Sequence, residues 1–210
     1  MRVIAGSAGG IQLLVPRRGV RPTMDRVKAA IFSSLGDDVI GAQVLDLFAG
    51  SGGLGIEALS RGASSVLFVE QDRQSVAAIE KNLAKAKLEG RVHHQEVFEF
   101  LRRSNLKERF RIIFADPPYE KMASGEPFTE KLLRDESLPQ LLEPDGIFIL
   151  EKYPGEELPG NAFWKVSRRK TYGATEVVFL QHSAIALPAS KKLSRGSAAH
   201  NVYRPPSWER

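Results

Sequence analysis

The sequence predicts an α/β protein built on a doubly wound, mostly parallel sheet. Three observations carry this. From residue 44 onward, short apolar runs alternate with amphipathic helical stretches. A glycine-rich turn follows the first of those runs and opens a helix. The last two β-like runs have no helix between them, so one of them is expected to run antiparallel to the rest.

Taken in order, Arg2–Ala5 and Ile11–Val15, around Gly6, Gly9 and Gly10, read as a small hairpin. In RPTMDRVKAAIFSSLGDD, Pro22 and the N-cap Thr23 precede Val27, Ala30, Ile31 and Leu35 at helical spacing, so a helix should close near Gly36. Val44–Phe48 is a buried-type strand, Gly50–Gly53 a turn, and Leu54–Arg61 a helix ending at Gly62. Strand Val66–Glu70 follows. Asp72 then caps a long helix carrying Val76, Ile79, Leu83 and Leu88 and ending at Gly90. A short strand around Val92, a helix over Val97–Arg103 and strand Ile112–Ala115 come next. Helical stretches near Thr129–Leu133 and Leu138–Leu142, strand Gly146–Glu151, and the runs Trp164–Lys170 and Glu176–Leu180 complete the body. The segment from Ser183 is rich in Ala, Ser, Pro and Lys without periodicity and reads as a flexible tail.

With 210 residues and 42% apolar content, the chain suits one globular domain. No apolar stretch approaches the ~18 residues that span a bilayer, so no membrane partner is expected. Glycines break the start, MRVIAGSAGG, which argues against export. Cysteine is absent, which excludes disulfides, thiolate nucleophiles and cysteine-held zinc, and suits a cytoplasmic setting. The net charge of +5 is uneven: residues 1–28 carry +5, residues 29–183 carry −4 and residues 184–210 carry +4. A mildly acidic body thus has two basic ends.

Gly50, Gly52 and Gly55 satisfy G-x-G-x-x-G between a strand and a helix, and Glu70 ends the next strand where a ribose-binding carboxylate belongs. Glycines permit close backbone approach, and the helix start offers free N–H groups. NAD(P), a flavin and S-adenosylmethionine all suit this turn. Asp46, inside the strand end, would face the cofactor; a carboxylate there favours a ligand with a cationic ammonium over a pyrophosphate.

Asp116-Pro117-Pro118-Tyr119 follows an apolar strand at the same edge of the sheet. Two prolines stiffen the loop, so that Asp116 and the Pro117 carbonyl can form a fixed acceptor pair beside the aromatic face of Tyr119. That set suits methylation of an exocyclic base amine. Two acceptors binding its two hydrogens draw the nitrogen towards pyramidal geometry, while the extruded ring stacks on tyrosine. No metal is required.

On these residues the chain resembles the class I S-adenosylmethionine-dependent methyltransferases. More closely, it resembles the bacterial family that methylates N2 of a guanine in 16S ribosomal RNA. The resemblance covers residues 1–182: RVIAGSAGG, RPTMDRVKAAIFSSL, DLFAGSGGLGIEALSRGA, FVEQD with Asn82 further on, FADPPY, LEPDGIFILE and KTYGATEVVFL. The early RPT-x-DRV-x(4)-F segment is its specific signal. The resemblance implies a Rossmann-like class I fold of seven strands with one antiparallel. A small N-terminal hairpin and helix extension over 1–40 would precede a catalytic domain over 41–182, with the tail from 183. It also implies cofactor contacts at Asp46, along Phe48, Ala49, Gly50, Ser51 and Gly52, at Glu70 and Gln71, and at Glu96 and Val97. Glu96 stands where relatives usually have aspartate beside the adenine. Asp116, Pro117, Pro118 and Tyr119 match the amine-binding loop.

Arg17, Arg18, Arg21, Thr23, Arg26 and Lys28 lie in the family-specific segment and are expected to grip RNA, the charged ones through its phosphates; Arg26 could instead pair with Asp25. The tail's Lys191, Lys192, Arg195, Arg204 and Arg210 suit an RNA-binding arm or a solubilising extension equally. His93 and His94 are adjacent on a strand and face opposite ways, so no paired metal site is expected. The expected partner is 16S rRNA, naked or in a 30S assembly particle, with a monomer as default. Rival readings are an adenine-N6 or glutamine-amide methyltransferase, an NAD(P) oxidoreductase and a non-catalytic RNA-binding protein.

Overall fold

The structure, a computed structural model, describes residues 1–16, 25–103, 108–118, 125–160 and 163–183. Expectations for Arg17, Arg18, Arg21, Thr23, Tyr119 and the tail beyond 183 therefore lie outside the described residues.

Helix α1 (Asp25–Leu35) precedes β1 (Gln43–Leu47), α2 (Gly53–Ser60), β2 (Ser65–Glu70), α3 (Arg73–Ala86) and β3 (Arg91–His94). Then come α4 (Val97–Arg103), β4 (Phe110–Ala115), α5 (Phe128–Arg134), β5 (Leu142–Lys152), β6 (Trp164–Tyr172) and β7 (Thr175–His182). The strands form one sheet in the order β3-β2-β1-β4-β5-β7-β6. All neighbouring pairs are parallel except those of β7, which runs antiparallel to both β5 and β6. Seven strands with one antiparallel is the predicted architecture.

Alternation explains why the sheet is doubly covered. On β1, Val44 joins the core beneath α1, α2 and α3, while Leu45 and Leu47 join the core beneath α4 and α5. On β4, Ile112 and Phe114 face the first core, and Ile113 and Ala115 the second. A strand buried on both faces needs the unbroken apolar runs that marked it in sequence.

Several expectations are corrected. The long helix ends at Lys87, which takes the left-handed conformation at φ 53, not at Gly90. Gly90 serves packing instead: a Cβ there would lie 2.8 Å from the Phe68 ring. Residues Leu138–Leu141 form a single 3-10 turn, and β5 starts at Leu142 rather than Gly146. The opening hairpin forms as expected, with an antiparallel bridge of Arg2 with Gln12, Val3 N–H donating to the Ile11 carbonyl at 2.9 Å and Leu13 N–H to the Met1 carbonyl at 3.0 Å. It is also fixed to α2. The Glu57 carboxylate accepts the N–H groups of Ile4 at 2.7 Å and Ala5 at 3.1 Å, and Ser7 N–H donates to the Ser60 carbonyl at 2.8 Å. Gly6, at φ 86, lies so close to α2 that a Cβ there would collide with the Ser60 carbonyl.

Candidate active site at the carboxyl edge of β1 and β4

The strand order reverses between β1 and β4, since α2 carries the chain from β1 to β2 on one side and later elements continue on the other. Loops leaving adjacent parallel strands in opposite directions open a crevice there. The pairing Leu47↔Ala115 puts the glycine turn and Asp116-Pro117-Pro118 side by side at its mouth.

The turn is held from three sides. Asp46, buried at 2% exposure, accepts the Gly55 N–H at 2.8 Å in the first turn of α2. Glu70 accepts the Gly50 N–H at 2.7 Å through one oxygen and the Asp72 N–H at 2.7 Å through the other. Asn82, wholly buried on α3, donates to the Ser51 carbonyl at 2.9 Å and also bonds both backbone groups of Leu14. Glycine is required at Gly52, where φ is 82, and at Gly55, where a Cβ would lie 2.3 Å from the Phe68 ring.

Electrostatically the mouth is acidic. Burial pushes the Asp46 carboxyl up to about 8, the Gly55 hydrogen bond opposing and the Asp116 and Glu70 charges adding to the rise. Burial likewise raises Glu70 against the pull of its backbone donors. The Ser51 hydroxyl is buried without a hydrogen-bond partner. Buried acids and an unmet hydroxyl fit a ligand that brings positive charge and hydrogen-bonding groups. S-adenosylmethionine, with its ammonium, sulfonium and ribose hydroxyls, has that chemistry; a pyrophosphate would meet repulsion.

Phe48 leaves β1 at φ 55, in the left-handed region, and lies edge-on to Phe98 and Phe128 at 6.3 and 5.7 Å. The half-buried Glu96 accepts the Glu99 N–H at 2.9 Å and so caps α4, whose Val97 is buried beside it. Gln71 is exposed, and its carbonyl lies 3.0 Å from His94 Nε2. Asp116 is half-buried, Pro117 buried and Pro118 exposed. His93 and His94 are both exposed, and no metal-holding cluster of three ligands exists among the described residues.

The basic segment divides. Arg26 is exposed, and Asp25 pairs with Arg2 at 3.7 Å. Lys28 is corrected: its side chain is fully buried, with Nζ 3.3 Å from Glu57 Oε2 and bonded to the Arg2 carbonyl. An ammonium sealed in the interior does not contact a phosphate.

Residues 1–181 match the model of a family described as conserved hypothetical protein 95. The chain belongs to this family. Among its relatives, Bacillus subtilis YlbH is 41% identical over 182 residues, covering 84% of this chain and 96% of its own. The ribosomal RNA small subunit methyltransferase D of Escherichia coli K12 is 35% identical over 187 residues, 88% of this chain and 91% of its own. A Thermus thermophilus 16S rRNA N2 methyltransferase, solved with AdoMet and guanosine, superposes with a TM-score of 0.59 at 27% identity, covering 79% of this chain and 44% of that one. By family and fold the chain is a class I methyltransferase.

Sequence reasoning missed Glu57, Phe98 and Phe128, and named Asn82 without a task. Glu57 and Asn82 are polar residues set among apolar helix positions, which is the signal that exposes buried polar groups. Phe98 and Phe128 gave none, because any aromatic at helical spacing reads as core. No helix among the described residues is long and apolar enough to cross a membrane.

Proposed function

We propose that the chain transfers a methyl group from S-adenosylmethionine to the exocyclic 2-amino group of a guanine in small-subunit ribosomal RNA. The carrying observation is the register Leu47↔Ala115, which sets the glycine turn and the Asp116-Pro117 acceptors in one mouth. When bound, S-adenosylmethionine supplies a methyl group already activated on a sulfonium. The turn from Phe48 to Gly52 receives its methionyl part, with Asp46 towards the ammonium. Glu70 and Gln71 stand at the ribose, and Glu96 and Val97 at the adenine.

Asp116 and the Pro117 carbonyl take the two hydrogens of the target amine, Pro118 stiffens the loop, and Tyr119 stacks on the extruded ring. Residues 1–40, with Arg17, Arg18, Arg21, Thr23 and Arg26, act as the RNA-binding extension of a catalytic body over 41–182. Residues 183–210 act as a basic extension. The enzyme works in the cytoplasm as a monomer, on 16S rRNA, naked or within an assembling 30S particle.

Labelled methyl transfer to small-subunit rRNA from cells lacking the modification tests this, with nucleotide analysis of the product. N2-methylguanine is expected. Methylated adenine, or full activity in Asp116→Ala, overturns it.

A further inference from the structure

Acidic side chains line one face of the sheet at the carboxyl ends of its central strands. The register pairs Asp46 with Phe68 on β2 and with Phe114 on β4, and pairs Phe114 with Ile149 on β5. Side chains alternate along a strand, so Glu70 and Glu151, two residues beyond Phe68 and Ile149, share the face of Asp46. Asp116 follows β4 directly. The reading above uses Glu70, Asp46 and Asp116, and it leaves Glu151 without a task.

Glu151 is 3% exposed, and its Oε1 has no hydrogen-bond partner. No cation answers it from its own strand: Lys152 points to the opposite face, where Nζ meets Glu176 Oε2 at 2.6 Å and the Tyr153 carbonyl at 2.8 Å. Its register partner on β7 is the apolar Val177. Among the described residues, the charges facing it are acidic. Burial, then Asp116, then Asp46, push its carboxyl well above the ordinary range. A buried carboxyl between acids with an unmet oxygen is stable when it holds a proton.

We propose that Glu151 is a positioning residue for methyl transfer that acts through Asp116, the two carboxyl groups holding one proton between them so that Asp116 presents an ionised oxygen to the target amine. This rests on the guanine reading above. In the step itself the amine nitrogen gains the methyl group and loses a proton. The electron pair of the broken carbon–sulfur bond stays on sulfur, and the proton passes to the Asp116 oxygen and on to water. Glu151, already neutral, donates to Asp116 throughout. When both groups ionise at high pH, two anions repel in a dry site and the acceptor loses its aim.

Two measurements test this. Infrared difference spectra of the free protein, wild type minus Glu151→Gln, should show a protonated-carboxyl band at neutral pH that the variant lacks. With cofactor and RNA saturating, kcat of the wild type should fall at alkaline pH. Glu151→Gln, whose amide still donates but cannot ionise, should lose that fall. Glu151→Ala, lacking the donor, should lose about tenfold in kcat with cofactor Kd unchanged. Absence of the band, or a Glu151→Gln profile parallel to wild type, overturns the proposal. If Glu151→Gln does not fold, the band is followed in Asp116→Asn, where Glu151 should ionise at lower pH; an unmoved titration overturns the proposal equally. The infrared result is independent of substrate, so a wild-type product other than N2-methylguanine defeats the guanine reading separately.

Discussion

Lys28 Nζ lies 3.3 Å from Glu57 Oε2 with both side chains fully buried, and this pair joins α1 to α2 beneath the N-terminal hairpin. Glu57 also accepts the N–H groups of Ile4 and Ala5 and the Arg61 guanidinium at 2.7 Å. Burial lowers the Lys28 ammonium from its ordinary value, and Glu57 partly offsets this. Glu57→Ala strands that cation and two backbone donors, and should cost about 3–5 kcal/mol in urea unfolding. Lys28→Met combined with Glu57→Gln should cost less than Glu57→Ala alone, because the one charge left without its carboxylate, Arg61, is partly exposed rather than sealed in the interior.

The same pair separates two neighbouring cations. On the proposed function, exposed Arg26 meets phosphate and sealed Lys28 does not. Arg26→Ala should lower the slope of log affinity against log salt for rRNA binding by about one. Lys28→Met, in whatever fraction folds, should leave that slope unchanged. Filter binding across a salt series checks both.

Asp46 makes cofactor affinity depend on pH. Its carboxyl is raised from 3.8 to about 8, so the folded protein holds a proton that the unfolded chain releases near pH 4. The associated stability is full below the unfolded value and is lost as pH rises towards 8. A cationic ligand favours the ionised form. S-adenosylmethionine affinity should therefore rise from pH 6 to pH 8, with proton release on binding, by at most about tenfold per pH unit. Calorimetry in buffers of different ionisation enthalpy reads that proton. Asp46→Asn should bind weakly, release none and be relatively more stable than wild type at pH 8.

Gly55 couples the turn to the core. An alanine Cβ there would meet Phe68 at 2.3 Å and Val66 at 2.8 Å. Gly55→Ala should destabilise by about 1–3 kcal/mol through overpacking and should weaken cofactor binding, because Gly55 N–H is the donor that holds Asp46. Thermal melts with and without S-adenosylmethionine separate the two effects.

The elements nearest the site were legible because their signals are local. The double burial of β1 and β4 required apolar runs, the turn required glycine at Gly52 and Gly55, and Asp72 capped α3 as its residue type predicted, accepting from Ser75 at 2.8 Å. Helix ends were less legible. Lys87 takes a left-handed cap that a glycine usually fills, and nothing local announces it. The 3-10 turn at Leu138–Leu141 carries the same apolar spacing as an α-helical turn.

By itself the sequence determined the alternation of strands and helices, the glycine turn with its trailing acid, and the Asp-Pro-Pro loop, patterns that each span 20 residues or fewer. Only the tertiary structure decided which charges meet. Lys28 and Arg26 look alike in a basic segment, yet one is sealed against Glu57 and the other is exposed. Glu151 looked like the end of a strand and proved to be an unmatched acid facing Asp46 and Asp116. Burial and partner choice depend on residues distant in the chain, and those terms set whether a charge is a surface contact, a structural pair or a proton store.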